Sequence, residues 1–312
     1  MKNITLKHLR YACTLADHSH FGRAAEAVAV SQPALSMQIR DLEDRLGLPL
    51  FERGRSVRLT GFGSDFVARA RDILQTVDEL GDIVLMSQGG RLRRLRLGII
   101  PTVAPYLLPT LIGALTTAYP GLDLHVRETV TPRLIAELNA GQLDAAIVAL
   151  PVSEDSLSEL PVLQEDFVLV RPARDADKPV PDARELREMR LLLLEEGHCF
   201  RDQALAFCAM DGVRPREWLD GSALSTLVQM VGAGIGVTLI PDMAVAVETR
   251  AAPVSIARFA TQTPSRTIGL VWRRSTPLAA QLSAVGDLIA QVADDRRQNS
   301  ARSPLARSDC SS

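Results

Sequence analysis

The chain has 312 residues, of which 46% are hydrophobic and 23% are charged, a composition typical of a globular protein with a substantial core. Its formal net charge of −2 excludes a strongly basic chain, so total charge alone does not indicate nucleic-acid binding. The first 60 residues are nevertheless basic, with nine Lys or Arg against six Asp or Glu. No apolar run approaches the roughly 18 residues that cross a bilayer, and residues 1–6 lack a signal-like apolar stretch, which predicts a cytoplasmic protein.

Cysteine, histidine and glycine patterns argue against a metal centre or an enzyme. The five histidines lack the spacing of zinc ligands, so we expect no metal and no cofactor. The four cysteines are Cys13, Cys199, Cys208 and Cys310, and a reducing compartment disfavours a stable structural disulfide among them. The glycine-rich residues 232–236 follow a predicted helix instead of a strand, which argues against a dinucleotide site. Without a visible catalytic triad or phosphate loop, we expect that the chain is not an enzyme.

The first 60 residues predict three helices with the order of a helix-turn-helix. Apolar residues recur at helical spacing from Leu6 to Cys13, and residues 21–27 predict a short, alanine-rich second helix. Ser31 is a good N-cap for a third helix, and Gly47 ends it. Two short helices, a tight turn and a capped third helix form the pattern of a DNA-reading module.

Polar side chains on the third helix, and arginines on a predicted β-hairpin over residues 50–60, are the candidate DNA contacts. Those on the helix are suited to base edges or phosphates in the major groove, and the arginines are suited to phosphates. An ordinary solvated face is the alternative for each set. The candidates are Gln32, Pro33, Ser36, Gln38 and Arg40 on the helix, and Arg53, Arg55 and Arg58 on the hairpin.

Residues 61–90 predict a linker with a long helix that carries a narrow apolar seam. The seam steps by four and three residues over nearly three heptads. A helix packed only on its own domain more often shows a broader apolar face, so the seam favours pairing with a second copy. The seam residues are Phe66, Ala70, Ile73, Val77, Leu80 and Val84.

Residues 91–294 alternate strands and helices in two sets, which predicts an α/β domain of two lobes. Ligands of such sheets bind beyond the carboxyl ends of the strands and between lobes, where we expect Thr102, Thr131 and Cys199. The polar residues 295–312 predict a disordered tail, which contains Cys310 without an assigned role.

Several motifs of the first 60 residues resemble the winged helix-turn-helix of LysR-type transcriptional regulators. The two predicted lobes resemble the periplasmic-binding-protein-like effector domain of the same family. The resemblance implies a regulator that binds promoter DNA, assembles from homodimers into a homotetramer and works with RNA polymerase. The motifs are Phe21-Gly22-Arg23-Ala24-Ala25-Glu26, Ser31-Gln32-Pro33-Ala34-Leu35-Ser36, Leu46-Gly47, Leu50-Phe51-Glu52-Arg53 and Leu59-Thr60.

Residues 195–208 contain the densest group of chemically reactive side chains. Cys199 precedes a predicted helix and is flanked by His198 and Arg201, an arrangement that favours the thiolate and reaction with peroxide. Cys208 lies nine positions later, about 13 Å away along an intact helix, whereas a disulfide needs Cα atoms within about 7 Å. A bond between them therefore requires local refolding. The alternative is two ordinary core thiols.

The run Gly197-His198-Cys199-Phe200-Arg201-Asp202-Gln203-Ala204 with Phe207-Cys208 is similar to the redox segment of the peroxide-sensing OxyR branch of the LysR family, although Phe200 and Ala206 depart from its pattern. By this resemblance Cys199 is the peroxidatic residue and Cys208 the resolving residue. The chain is then an activator of oxidative-stress genes, switched by hydrogen peroxide through a reversible disulfide. The implied peroxide pocket contains Thr102, Thr131, His198, Arg201, Asp202 and Arg266.

Three other functions stay open at the level of the sequence. A LysR-type regulator that responds to a small organic effector would make the cysteines incidental. A thiol peroxidase would use the same cysteine pair, but the predicted DNA-reading module argues against it. A transported solute-binding protein conflicts with that module and with the expected absence of a signal peptide.

Overall fold

The protein divides into two compact units, residues 1–90 and 91–312. Both are described here from a computed structural model. The residues that it describes are 4–53, 57–87, 92–197, 199–207, 220–221, 223–260 and 263–302.

The first unit is a helical module with a small hairpin. Thr5, His20 and Ser31 start the first three helices, and the side chain of each accepts backbone N–H groups of the first turn. Gly47 ends the third helix in the left-handed conformation, with φ of 76°. The elements are α1 (Leu6–His18), α2 (Phe21–Ala27), α3 (Gln32–Leu46), β1 (Phe51–Arg53), β2 (Val57–Leu59) and α4 (Gly61–Ser87).

The carboxylate of Glu43 on α3 binds the backbone at the start of the hairpin. Glu43 Oε1 accepts the backbone N–H groups of Leu50 at 2.9 Å and Phe51 at 3.1 Å. β1 and β2 then pair antiparallel, with Phe51 opposite Leu59. The predicted winged helix-turn-helix is therefore confirmed, while residues 54–56 of the predicted hairpin lie outside the described residues.

The second unit is built on a twisted sheet with helices on its faces, and its elements follow in two sets. The strands are β3 (Arg94–Ile99), β4 (Asp123–Glu128), β5 (Ala145–Leu150), β6 (Leu157–Pro172), β7 (Leu193–Leu194), β8 (Asp220–Gly221), β9 (Thr238–Pro241), β10 (Val254–Ala257) and β11 (Ser265–Arg273). The helices are α5 (Ala104–Ala118), α6 (Thr131–Asn139), α7 (Ala183–Glu188), α8 (Cys199–Phe207), α9 (Leu224–Gly232), α10 (Asp242–Glu248) and α11 (Ala279–Arg302).

The strand order β10-β6-β11-β5-β3-β4, with β9 also beside β6, explains the two lobes. The first half of β6 pairs with β11, whereas residues 167–172 pair with β9 and β10. We call β3 to β5, β11, α5, α6 and α11 the first lobe, and α7 to α10 with β7 to β10 the second lobe. β6 passes from one to the other, so the predicted two-lobed α/β architecture is confirmed.

Each lobe has its own apolar core, and Tyr106 is one of the side chains that link the two. Tyr106 of α5 belongs to the first lobe but is buried in the core of the second. Its hydroxyl donates to Glu248 Oε1 of α10 at 2.6 Å. Burial, followed by the hydrogen bond to Glu248, raises the pKa of Tyr106 above its ordinary value, so the hydroxyl keeps its proton.

The last described helix extends further than the sequence indicated. α11 continues to Arg302, although the polar sequence from residue 295 predicts a disordered tail. Val292 and Ala293 are buried in the first core, and Arg296 Nη2 donates to the Met243 carbonyl of α10 at 2.8 Å. These contacts hold the helix beyond residue 294. Among the described residues, no helix combines the length and apolar character needed to cross a membrane.

Candidate functional site

Cys199 is the first residue of α8 and carries a free, half-buried thiol. It packs against the core of the first lobe, although α8 belongs to the second. The turn before it contains Gly197 with φ of 93°, a conformation that favours glycine. A Cβ placed on Gly197 would lie 3.9 Å from Val130 Cγ2, so this turn faces the start of α6.

A buried cation lies between the lobes, beside the helix that Cys199 begins. The side chain of Arg266 has 0% exposure and lies opposite Glu165 in the β6–β11 pair. Its Nε and Nη2 donate to Glu165 Oε2 at 3.0 and 2.8 Å. Its Nη1 donates to the Thr102 hydroxyl at 2.8 Å, and Nη2 donates to the Thr102 carbonyl at 3.0 Å. We call these three residues the arginine cluster.

Two aromatic rings cover the arginine cluster. The Cζ atom of Arg266 lies 5.7 Å from the ring centroid of Phe200 and 5.9 Å from that of Phe167. The two rings meet edge to face, with centroids 4.8 Å apart. These distances fall in the range of cation–π contacts, which strengthen when water is excluded. Phe200 directly follows Cys199, so the cluster holds the start of α8 in place.

The other pocket candidates occupy different positions around α8. The Arg201 side chain is buried and donates from Nη1 to the Leu194 carbonyl of β7 at 2.9 Å. Asp202 is exposed on α8. The Thr131 hydroxyl oxygen, in the first turn of α6, is buried and has no hydrogen-bond partner among the described residues. His198 and Cys208 lie outside the described residues.

Unpartnered buried polar atoms are uncommon in folded proteins, so each calls for an explanation. Gln203 Oε1 on α8 is a second such atom, without a partner in the part of the chain that the structure describes. Thr131, which follows Val130 at the Gly197 turn, and Gln203 on α8 each offer unused hydrogen-bonding capacity among the described residues. A small polar molecule beside Thr131 would satisfy its hydroxyl oxygen.

The exposed face of α3 differs in part from the predicted one. Leu35, Ile39 and Leu42 are fully buried on the opposite side of the helix from Pro33 and Met37. Gln32, Pro33 and Arg40 are exposed, whereas Ser36 and Gln38 are half-buried. At 100° per residue, Gln32 and Gln38 project from opposite flanks of the helix. A single groove therefore does not face both of them equally.

On the hairpin, Arg58 is exposed on β2. The side chain of Arg53 and the whole of Arg55 lie outside the described residues. The structure thus describes the side chain of one of the three arginines that are predicted to contact phosphate.

The heptad seam of α4 is shorter than predicted. Ala70 is buried in the core of the first unit and Phe66 packs against that core, so these two residues serve the fold of their own unit. Ile73 and Leu80 are 47% and 58% exposed, and Val77 is half-buried between them. The side chain of Val84 lies outside the described residues. The free part of the seam therefore begins at Ile73.

Both units match family models of bacterial regulators. Residues 6–64 match the model described as "Bacterial regulatory helix-turn-helix protein, lysR family". Residues 88–294 match the model described as "LysR substrate binding domain". The chain belongs to the LysR family. This family consists of DNA-binding transcription regulators, so the prediction that the chain is not an enzyme is confirmed.

Relatives of this LysR-family chain include named peroxide regulators. A "Probable hydrogen peroxide-inducible genes activator" from Streptomyces viridosporus is 41% identical over 297 residues, covering 93% of this chain and 95% of the relative. The Escherichia coli K12 protein named "DNA-binding transcriptional dual regulator OxyR" is 39% identical over 293 residues, covering 92% and 95%.

Solved structures agree with this placement in the LysR family. A full-length OxyR cysteine variant from Pseudomonas aeruginosa superposes with a TM-score of 0.76 at 37% identity, covering 93% of this chain and 95% of that one. A hydrogen-peroxide-bound OxyR mutant from Corynebacterium glutamicum gives a TM-score of 0.65 at 32% identity, covering 95% and 94%. The resemblance to the OxyR branch is therefore confirmed.

Sequence reasoning missed two residues of this LysR-family regulator. Glu165 is a buried acid on β6 at the inward-facing alternate position between Leu163 and Phe167, and an acid at that position was the available signal. Met37 is 63% exposed on α3 and shares its face with Pro33 and Arg40. An apolar side chain there is suited to a thymine methyl group, but a search for polar residues passes over it.

Proposed function

We propose that this chain is a transcription activator of oxidative-stress genes, switched by hydrogen peroxide through a reversible disulfide between Cys199 and Cys208. The position of Cys199 carries the proposal. It is a free, half-buried thiol at the start of α8, next to a residue that touches a buried cation. The names of the relatives support hydrogen peroxide as the signal, and one related structure contains bound peroxide.

The chemistry proceeds in two balanced steps. The Cys199 thiolate attacks one peroxide oxygen, the S–O bond forms and the O–O bond breaks, and the departing hydroxide becomes water by taking up the proton that the thiol released to the solvent on ionising. Cys199 is then a sulfenic acid, oxidised by two electrons, and the peroxide is reduced. The Cys208 thiol next attacks the Cys199 sulfur, the S–S bond forms, and the S–O bond breaks with loss of water.

The helix geometry indicates that the second step requires refolding. Cys199 and Phe207 bound α8, eight residue steps that span about 12 Å along its axis. Consecutive Cα atoms are about 3.8 Å apart, so Cys208 cannot approach Cys199 closer than about 8 Å between Cα atoms while α8 is intact. A disulfide needs about 7 Å or less. Bond formation therefore unwinds part of α8.

Burial of the arginine cluster argues against an organic effector at this position. Thr102, Glu165 and Arg266 are 3%, 4% and 3% exposed, and Phe200 covers the guanidinium. Tyr106 also crosses from the first lobe into the core of the second. An organic molecule would have to displace these side chains and break their hydrogen bonds, whereas peroxide is close to water in size.

Differential alkylation tests the proposal directly. The full chain is treated briefly with low hydrogen peroxide, and each cysteine is then quantified by mass spectrometry. We expect Cys199 and Cys208 to lose reactivity together and to appear as one linked peptide. Burial raises the pKa of the Cys13 thiol to about 11, so Cys13 stays protonated and serves as the unreactive internal control.

The Cys208→Ser variant separates the two steps. Without the resolving thiol, Cys199 should stop at the sulfenic acid, which a dimedone adduct detects. If Cys199 in the wild-type chain stayed fully alkylatable after peroxide, the redox proposal would be wrong and only the DNA-binding assignment would stand.

We propose that the exposed part of the α4 seam pairs two copies of the chain, and that two dimers form a tetramer on DNA. Replacing both Ile73 and Val77 with Asp should convert dimers to monomers, because two charges would enter an apolar interface. Sedimentation velocity measures the result. Ala68→Asp on the opposite, exposed face of α4 is the matched control and should stay dimeric. If the double variant stayed dimeric, the proposal that this seam pairs two copies would be wrong.

At the DNA, we propose that α3 enters the major groove with Pro33, Ser36, Met37 and Arg40 facing the bases. Arg58 of the hairpin would bind phosphate and add affinity without sequence preference. In a dimer, two copies of α3 would read two half-sites of one operator. RNA polymerase is the expected partner at the promoter.

A further inference from the structure

We infer that Glu165 is a positioning residue, which orients the Thr102 hydroxyl through Arg266 so that its hydrogen points toward the peroxide. This inference rests on the proposed peroxide function. Glu165 itself does not touch the reacting atoms. Its effect reaches them through two hydrogen-bonded neighbours.

The Glu165 carboxylate is held from two sides. Its Oε1 atom accepts the backbone N–H of Met243 at the start of α10, at 2.9 Å. Its Oε2 atom accepts two N–H groups of Arg266, from the neighbouring strand β11. Because both oxygens are engaged and the side chain is buried, the carboxylate has one orientation. It therefore sets the plane of the Arg266 guanidinium.

Arg266 in turn donates hydrogen bonds to both acceptor oxygens of Thr102. Nη1 donates to the Thr102 hydroxyl and Nη2 donates to the Thr102 carbonyl. A guanidinium has no acceptor atoms, so the Thr102 hydroxyl can only accept from it. The hydroxyl hydrogen must then be donated to another group. Two contacts to one residue also hold its side-chain rotamer, and the occupied acceptor side of the hydroxyl narrows the directions open to that hydrogen.

The position of Thr102 suits a donor to peroxide. Thr102 follows β3 in the first lobe, and Cys199 packs against the core of that same lobe. Phe200, the neighbour of Cys199, touches the Arg266 guanidinium. When the thiolate attacks one peroxide oxygen, negative charge grows on the departing oxygen. An oriented O–H donor stabilises that charge without giving up its own proton, and the departing hydroxide instead takes up the proton that the thiol released to the solvent.

The test compares two reactions of Cys199 in the full chain. Second-order rate constants are measured for oxidation by hydrogen peroxide and for alkylation by iodoacetamide, which does not use the Thr102 donor. Glu165→Gln should lower the oxidation rate by about 10- to 100-fold, as expected when a residue supporting the contact group is lost. Alkylation should stay within about twofold, because the thiol itself is unchanged. Glu165→Asp, which keeps the charge, should recover part of the loss.

A double-mutant cycle identifies the route of the effect. Thr102→Val should slow oxidation, and Glu165→Gln should add nothing in the Thr102→Val background, because both changes remove the same donor. Glu248→Gln is the matched control, since Glu248 is a carboxylate that accepts a hydrogen bond from Tyr106 and not from Arg266. It should leave both rate constants unchanged.

Several results would overturn the inference. A folded Glu165→Gln variant that is oxidised at the wild-type rate would refute it. Equal slowing of oxidation and alkylation would refute it too, as would a full additional loss of oxidation rate in the double variant. If Glu165→Gln does not fold, the same cycle is measured with Glu165→Asp. A wild-type chain whose Cys199 resists peroxide would refute the proposed function itself, and a peroxide-sensitive wild type with an equally fast Glu165 variant would refute the positioning role alone.

Discussion

Replacing Cys199 with serine is expected to abolish the response to peroxide while operator binding by the untreated protein is retained. Serine keeps the size of the side chain but its hydroxyl is not oxidised by peroxide, so no sulfenic acid forms. Because α8 belongs to the second unit, helix α3, which we propose enters the major groove, is not altered. Reporter induction should fall to the level of cells without peroxide, and the DNase footprint should be the same before and after treatment.

The Cys13→Ser variant is the control for this experiment. Cys13 is buried in the first unit, where its Sγ atom lies 3.9 Å from the Val67 carbonyl, and it takes no part in the proposed chemistry. Its variant should respond to peroxide like the wild type. A Cys199→Ser protein that still responds would instead support an effector that does not need the thiol.

Removing the buried cation should cause the largest loss of stability. Arg266→Met leaves the Glu165 carboxylate buried without its ion-pair partner, and breaking a buried pair in this way costs about 3–5 kcal/mol. The same change removes the donor to Thr102, so peroxide sensing should be lost even where the protein is folded. Urea unfolding followed by tryptophan fluorescence measures the stability, since Trp272 lies on the same strand as Arg266.

The double variant Arg266→Met with Glu165→Gln distinguishes lost charge pairing from lost packing. It removes both charges, so it should regain a large part of the stability that the single variant loses. If the double variant were no more stable than the single one, an unpaired carboxylate would not explain the cost. A single variant as stable as the wild type would contradict the ion-pair argument altogether.

Local signals made the DNA-reading module and the cysteine helix predictable. The buried stripe of α3, its Ser31 cap and its Gly47 end are all encoded within 17 consecutive residues. Cys199 was likewise predicted to precede a helix, and it is the first residue of α8. Such features depend on neighbours along the chain, so a single sequence contains them.

The arginine cluster was only partly predictable, because its members meet through strand pairing. Arg266 lies 101 residues from Glu165 and 164 residues from Thr102 along the chain. Thr102 and Arg266 were named by resemblance, but neither spacing nor composition shows that they touch. Glu165 was not named by the resemblance. Its role follows from the antiparallel register that sets it opposite Arg266.

Surface and core were also difficult to separate on single helices. The heptad spacing of α4 is regular, but Ala70 is buried in the first unit whereas Ile73 is exposed, because the apolar core of that unit touches one side of the seam. On α11, polar composition after residue 294 indicated disorder. The hydrogen bond from Arg296 to α10 supplies a tertiary contact that composition does not contain.

Hydrogen–deuterium exchange of α8, measured by mass spectrometry before and after oxidation, is the most direct test of the account. In the untreated protein, the amides from Gln203 to Phe207 should be protected, because they bond within the helix. We predict that they lose this protection in molecules that contain the Cys199–Cys208 linked peptide. A linked peptide with unchanged protection of α8 would contradict the claim that joining the two sulfur atoms requires the helix to unwind.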